Sequence, residues 1–355
     1  MIRVAAFTKY SRMAASTRQR LLEYVPALEQ AGFQVTVHPL LGDDHLASLV
    51  SGSASSRRSV AAAYGRRFRE LGQVKSADLI WLYAELFPYL PAYFEQLILR
   101  AGRPIIYDLD DAFFLPYDQH RSAPVRRLLR GKLEPVMRRA AAVTCGNPYL
   151  QRYAERLNPR AILLPTIVDT ERYVPVVRPK EPLVIGWIGS PTTWANVRPL
   201  LPLLRRLVEQ HGVRVRAVGA GRAAEADAFP GLELVPWSEE TEIVEVQGFD
   251  IGIMPLIDGP FERGKSGYKL IQYMACGLPV VGSPVGVNSD IVTPEVGFLA
   301  SEESAWRAAL LQLMADPALR QTMGRAGRAR AVSSYSLASQ APRLISLFRE
   351  VVGSR

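Results

Sequence analysis

The chain has 355 residues, 48% of them hydrophobic and 22% charged, with a formal net charge of +9. That length suits two domains better than one core, and the balance excludes a disordered chain. Two cysteines far apart exclude a disulfide framework, no apolar run reaches about 18 residues, and "MIRVAAFTKYSR" lacks a signal peptide's apolar core, so a reduced, cytoplasmic protein without a membrane span is expected.

Strands then alternate with helices from one end to the other, the pattern of parallel sheets covered by helices. "IRVAAF", "FQVTVH", "ADLIWLY", "PIIYDL", "AAVTCG" and "AILLPT" read as the strands of a first domain, 1–170. Between the first two, "STRQRLLEYVPALEQAG" predicts one helix, capped by Ser16 or Thr17 and ended by Gly32, with Pro26 inside it. Residues 42–76 predict a Gly/Ser/Ala loop and then an Arg-rich helix. The proline and charge of "DTERYVPVVRPKEP", without periodicity, predict a linker over 171–182. A second domain, 183–335, repeats the alternation with "PLVIGWIGS", a helix through "RPLLPLLRRLVEQHG", "VRVRAVG", "LELVPW", "FDIGIMPL" and "LPVVGSP". The stretch 336–355, with amphipathic "APRLISLFREVV", is expected as a helix that packs back on the first domain. The whole is an α/β fold of two Rossmann-like domains, expected to face a cleft at the carboxyl ends of both sheets, where ligands of open α/β structures bind.

The charge is uneven, with 23 Lys and Arg against 15 Asp and Glu up to residue 170 and 20 against 19 after it. Arg57, Arg58, Arg66, Arg67 and Arg69 form one cluster; Arg121, Arg126, Arg127, Arg130, Lys132, Arg138 and Arg139 form another. Such clusters are either a solvated surface or an attraction to an anionic membrane or substrate. No zinc-finger spacing or RNP-like aromatic strand accompanies them, so no nucleic-acid partner is expected. His38, His45, His120 and His211 lack ligand spacing, so no metal site is expected.

The stretch "KSGYKLIQYMACGLPVVGSPVGVN" (265–288) carries the most chemistry. Gly264 to Gly267 make a loop, a helix follows from about Tyr268 to Ala275, and exposed N–H groups at its start favour an anion. Lys265 and Lys269, four apart, are expected on one face of it. A solvated lysine pair on a core helix would have the same sequence. Gly286, Val287 and Asn288, after "PVVGSP", are expected to border the same ligand.

From "DIGIMPLIDGPFERGKSGYKLIQYMACGLPVVGSPVGVNSDIV" through "GFLA" to "MGRAGRARAVSSYSLASQAPRL", the second domain resembles the donor half of family-4 glycosyltransferases of the GT-B type. The resemblance implies transfer of a sugar from a nucleotide-diphosphate sugar to a glycan or lipid-linked acceptor, with retention and with neither metal nor cofactor. It places Ser266, Gly267, Tyr268 and Lys269 beside the donor and Trp237 near the nucleobase. The family has two Glu residues eight apart; here those positions are Gly264 and Gln272, with Glu262 close enough in a shifted loop to meet the sugar, and Gln272 still able to bond a ribose diol. The family's Gly-Arg and Lys at the start of this domain are replaced by "GSPTTW", Gly189 and Ser190 onward, so Lys265, Lys269 and Arg263 are expected to supply the cation for the diphosphate.

In the first domain, "IIYDLDDAFF" puts Asp110 and Asp111 where the family often has a His-Asp pair. Asp108, Asp110 and Asp111 are costly together unless exposed, paired or used, and an acidic turn is the plain alternative. Arg18 and Arg20 are expected near the cleft. The departures keep two rivals open: a non-catalytic sugar-nucleotide-binding protein, and a sugar-nucleotide epimerase or hydrolase. A reversible contact with the inner face of an anionic membrane is the expected location of a basic acceptor domain.

Overall fold

In the computed structural model, residues 1–45, 56–177 and 182–353 are described. Part of the 42–76 loop and the end of the 171–182 linker lie outside the described residues. The chain forms two compact units: the first from Met1–Thr166, Gly264–Ser266 and the stretch from Gln340 onward, the second from Ile167–Arg263 and Gly267–Ser339.

The first unit carries β1 (Ile2–Tyr10), β2 (Phe33–Leu41), β3 (Leu79–Tyr83), β4 (Ile105–Leu109), β5 (Ala142–Cys145) and β6 (Ala161–Leu163). They form one parallel sheet in the order β2-β1-β3-β4-β5-β6. Every residue of β3 and β4 is buried, as central parallel strands covered on both faces require. The chain winds outward in both directions from β1, so the switch point lies between β1 and β3, and a ligand crevice belongs at their carboxyl ends.

The second unit repeats this with β7 (Val184–Ile188), β8 (Arg214–Val218), β9 (Leu232–Val235), β10 (Ile251–Met254), β11 (Val280–Gly282) and β12 (Gly297–Leu299). The parallel order is β12-β11-β10-β7-β8-β9. Its switch point falls between β7 and β10, at the loop that begins with Gly189.

Two sequence expectations need correction here. The single helix expected over 16–32 is two, Ala15–Arg20 and Val25–Gln30, broken at Leu21, whose φ of −133° is not helical. Pro26 stands in the first turn of the second piece, where its missing N–H costs nothing. Ala14 is the N-cap; Thr17 instead bonds Tyr10 O through its hydroxyl. The basic clusters are also smaller than their sequence suggests. Arg67 is buried against the Phe7 ring and donates to Thr8 O and His38 O, and Lys132 is buried between Glu85 and Glu95. Arg58, Arg66, Arg69, Arg121, Arg127, Arg130, Arg138 and Arg139 remain exposed.

The last helix, Leu337–Gly353, contributes Phe348 to the first unit, where its ring stands edge-on to Phe33 and Trp81. Among the described residues no helix is long and apolar enough to cross a membrane.

Candidate active site

At the carboxyl end of the first sheet the three aspartates have separate fates. Asp108, the fourth residue of β4, is buried and takes a two-pronged pair from Arg20, Nε at 3.0 Å and Nη2 at 2.5 Å, with Thr144 donating to it as well. Burial alone would lower the Arg20 pKa, but the charge and hydrogen bonds of Asp108 outweigh it and raise it. Arg20 also donates to Leu164 O, and buried Arg18 donates to Arg12 O and Met13 O. These two arginines hold the fold together and do not reach for a ligand as the sequence led one to expect.

Asp110, just beyond β4, is 5% exposed, and Tyr83 Oη donates to its Oδ1 at 2.5 Å. Burial pushes its carboxyl up to about 7; Arg20 pulls the other way, and the charge of Asp111 adds to the rise. A carboxylate poised there can exchange a proton at neutral pH. Asp111 is half-buried, accepts from Ala112 N, and lies 3.8 Å from Lys265 Nζ. The short stretch Gly264–Ser266 belongs to this unit because Asn147, buried, donates its Nδ2 to Gly264 O at 2.6 Å and to Lys265 O at 3.0 Å. Ser266 is half-buried in the same stretch.

Lys265 and Lys269 therefore do not share a helical face. The helix begins at Tyr268, and Gly267 caps it with φ of +68°, a left-handed turn that ends the regular spacing before Lys265. Lys269, in the second unit, lies over the loop after β7. Its Nζ is 5.6 Å from the Trp187 ring centroid, and a Cβ at Gly189 would come within 2.8 Å of its Cε and 2.4 Å of the Trp187 ring. Gly189 is thus small so that Lys269 can reach the switch point. Exposed Ser190 continues the loop, its N–H donating to Thr193 Oγ1.

Gln272 is buried and donates through Nε2 to Tyr173 Oη at 2.9 Å. Tyr173 Oη in turn donates to Glu242 Oε1 at 2.9 Å, while Trp237 Nε1 donates to Glu242 Oε2 at 2.8 Å. Trp237 and Gln272 thus meet through a carboxylate that the sequence did not single out. Asn288 donates to Ser283 O, and its Oδ1, buried without a hydrogen-bond partner, lies beside Gly267 and Val287. Half-buried Tyr268 packs against the core of this unit. Glu262 and Arg263 depart from expectation: the Glu262 carboxylate folds back over Gly259, and Arg263 forms a two-pronged pair with Asp258 at 2.7 and 2.8 Å. Tyr83, Asn147 and Glu242 gave no sequence signal beyond an aromatic strand end, a helix cap and an acidic turn.

The two sheets and their order are those of the GT-B glycosyltransferase fold. Sucrose-phosphate synthase from Thermosynechococcus elongatus superposes with a TM-score of 0.74 at 15% identity over all of both chains. Anabaena HepE, solved with UDP-glucose, gives 0.72 at 14% identity over 99% of this chain and all of that one. Residues 182–316 match the family model of glycosyl transferases group 1. A GDP-mannose-dependent monoacylated alpha-(1-6)-phosphatidylinositol monomannoside mannosyltransferase of Corynebacterium glutamicum is 31% identical over 214 residues, 52% of this chain. The chain spans 58% and 55% of the lengths of two curated relatives, both glycosyltransferases by description.

Proposed function

We propose that this chain is a glycosyltransferase that moves a sugar from a nucleotide-diphosphate sugar to an acceptor hydroxyl, with retention, in glycan or glycolipid synthesis. The observation that carries the reading is the placement of Lys269 over the Gly189 loop at the switch point of a unit whose residues 182–316 match glycosyl transferases group 1. A fixed ammonium there stabilises the departing diphosphate, the largest catalytic contribution that this site offers, and the step needs no metal. Asp110 takes the proton of the acceptor hydroxyl. Gln272, Tyr173, Glu242 and Trp237 hold the nucleoside.

The description of HepE with UDP-glucose supports a UDP-sugar donor, and that of the corynebacterial relative supports a lipid-linked acceptor. Exposed arginines of the first unit, with Leu128 62% exposed among them, support reversible contact with the cytoplasmic face of an anionic membrane. The test is a thermal-shift panel of UDP- and GDP-sugars, followed by NMR of the anomeric proton of the product. A donor that raises the melting temperature and an axial product from an axial donor sustain the reading. Tight donor binding with no turnover on any acceptor favours the non-catalytic alternative, which the Gln272 and Gly264 replacements motivate.

A further inference from the structure

Tyr83 ends β3, at the β1/β3 switch point, and is buried although it carries a hydroxyl. A buried tyrosine hydroxyl usually finds a hydrogen-bond partner, and Tyr107 spends its own on Ala84 O. Tyr83 instead donates to Asp110 Oδ1, and Ser16, half-buried at the start of the helix Ala15–Arg20, lies close enough to act on that hydroxyl. Its ring is held edge-on by Phe113, 5.8 Å away, so the hydroxyl has one direction to point.

We propose that Tyr83 is the positioning residue for Asp110: its hydroxyl fixes Oδ1, leaving Oδ2 as the oxygen that receives the acceptor's proton. The inference rests on the reading of Asp110 as the base. As the acceptor O–H breaks, its proton goes to Oδ2; the acceptor oxygen bonds the anomeric carbon, whose bond to the diphosphate breaks with the electron pair leaving on the diphosphate. The groups that face Asp110 are Arg20 from the first helix, Tyr83 from β3, and Asp108 and Asp111 from its own strand end, with Lys265 behind Asp111. The Tyr83 bond favours the ionised carboxylate and so opposes the effect of burial.

The test is Tyr83→Phe in the full chain, with 13C-carboxyl-labelled aspartate titrated by NMR and the hydrolysis of UDP-glucose and of GDP-mannose followed against pH. Loss of the bond should move the Asp110 titration, and the rising limb of the rate profile with it, upward by about one pH unit, so that turnover drops several-fold at pH 7 and recovers at pH 9. Ser16→Ala, which cannot unfold the strand, should move both in the same direction by less. An Asp110 titration unmoved in both variants overturns the inference. A titration that moves while the rate profile stays put leaves the Tyr83 bond standing and overturns Asp110 as the base.

Discussion

Replacing Asp110 by Asn probes the electrostatics of the first unit without any substrate. Burial lifts this carboxyl from 3.8 to about 7. Each pH unit across that interval is worth about 1.4 kcal/mol, so keeping the group ionised inside the fold costs about 4 kcal/mol. The folded pKa lies above the unfolded one, so the folded chain binds the proton more tightly. Wild-type stability therefore falls as pH rises from about 4, and the loss is complete by about pH 8. Asparagine has no proton to lose and keeps an oxygen for Tyr83 Oη. D110N should thus gain on the wild type by about 2 kcal/mol between pH 5 and 7, and the gain should level off above about pH 8. Urea denaturation at half-unit steps from pH 5 to 8.5 measures the difference directly. A constant difference across the range would refute the reasoning, because Arg20 would then be holding Asp110 ionised throughout.

Lys269→Ala should weaken binding of a nucleoside diphosphate by about 1.5–3 kcal/mol and leave nucleoside binding nearly unchanged; calorimetry with UDP and uridine separates the two. Arg20→Met strands the buried Asp108 carboxylate and should destabilise the first unit by about 3–5 kcal/mol at neutral pH, read from chemical denaturation. The chain should sediment with vesicles containing phosphatidylserine and not with neutral ones, and salt should release it; no binding even at low salt removes the membrane contact.

The sheets were legible because a buried parallel strand must be almost wholly apolar, and "LIWLY" and "VIGWI" carry no charged residue and only the Tyr83 hydroxyl. The helix Tyr268–Ala275 was legible for the same reason, as an apolar run bounded by glycines. What escaped was pairing across distance. Arg20 and Asp108 are 88 residues apart, so that Arg20 read as a charge near the cleft and the partner of Asp108 could not be named from sequence. The Lys265–Lys269 spacing misled because a four-residue interval puts side chains on one face only within an unbroken helix, and Gly267 breaks it. Glu242 was hidden among the acidic residues of "SEETEIVE", and only the fold brings Tyr173 and Trp237 onto its two oxygens.

The first unit's need for Phe348 bears on the order in which the chain is made. The Phe348 ring that stands against Phe33 and Trp81 leaves the ribosome about 270 residues after Trp81. At about 5–20 residues per second, that leaves a window of tens of seconds in which the second unit can close its own core while the first still shows an aromatic face. A chain truncated after Ser339 should accordingly hold a protease-resistant second unit and a first unit that recruits chaperones. Fragments cut at residue 170 would share that exposed face permanently.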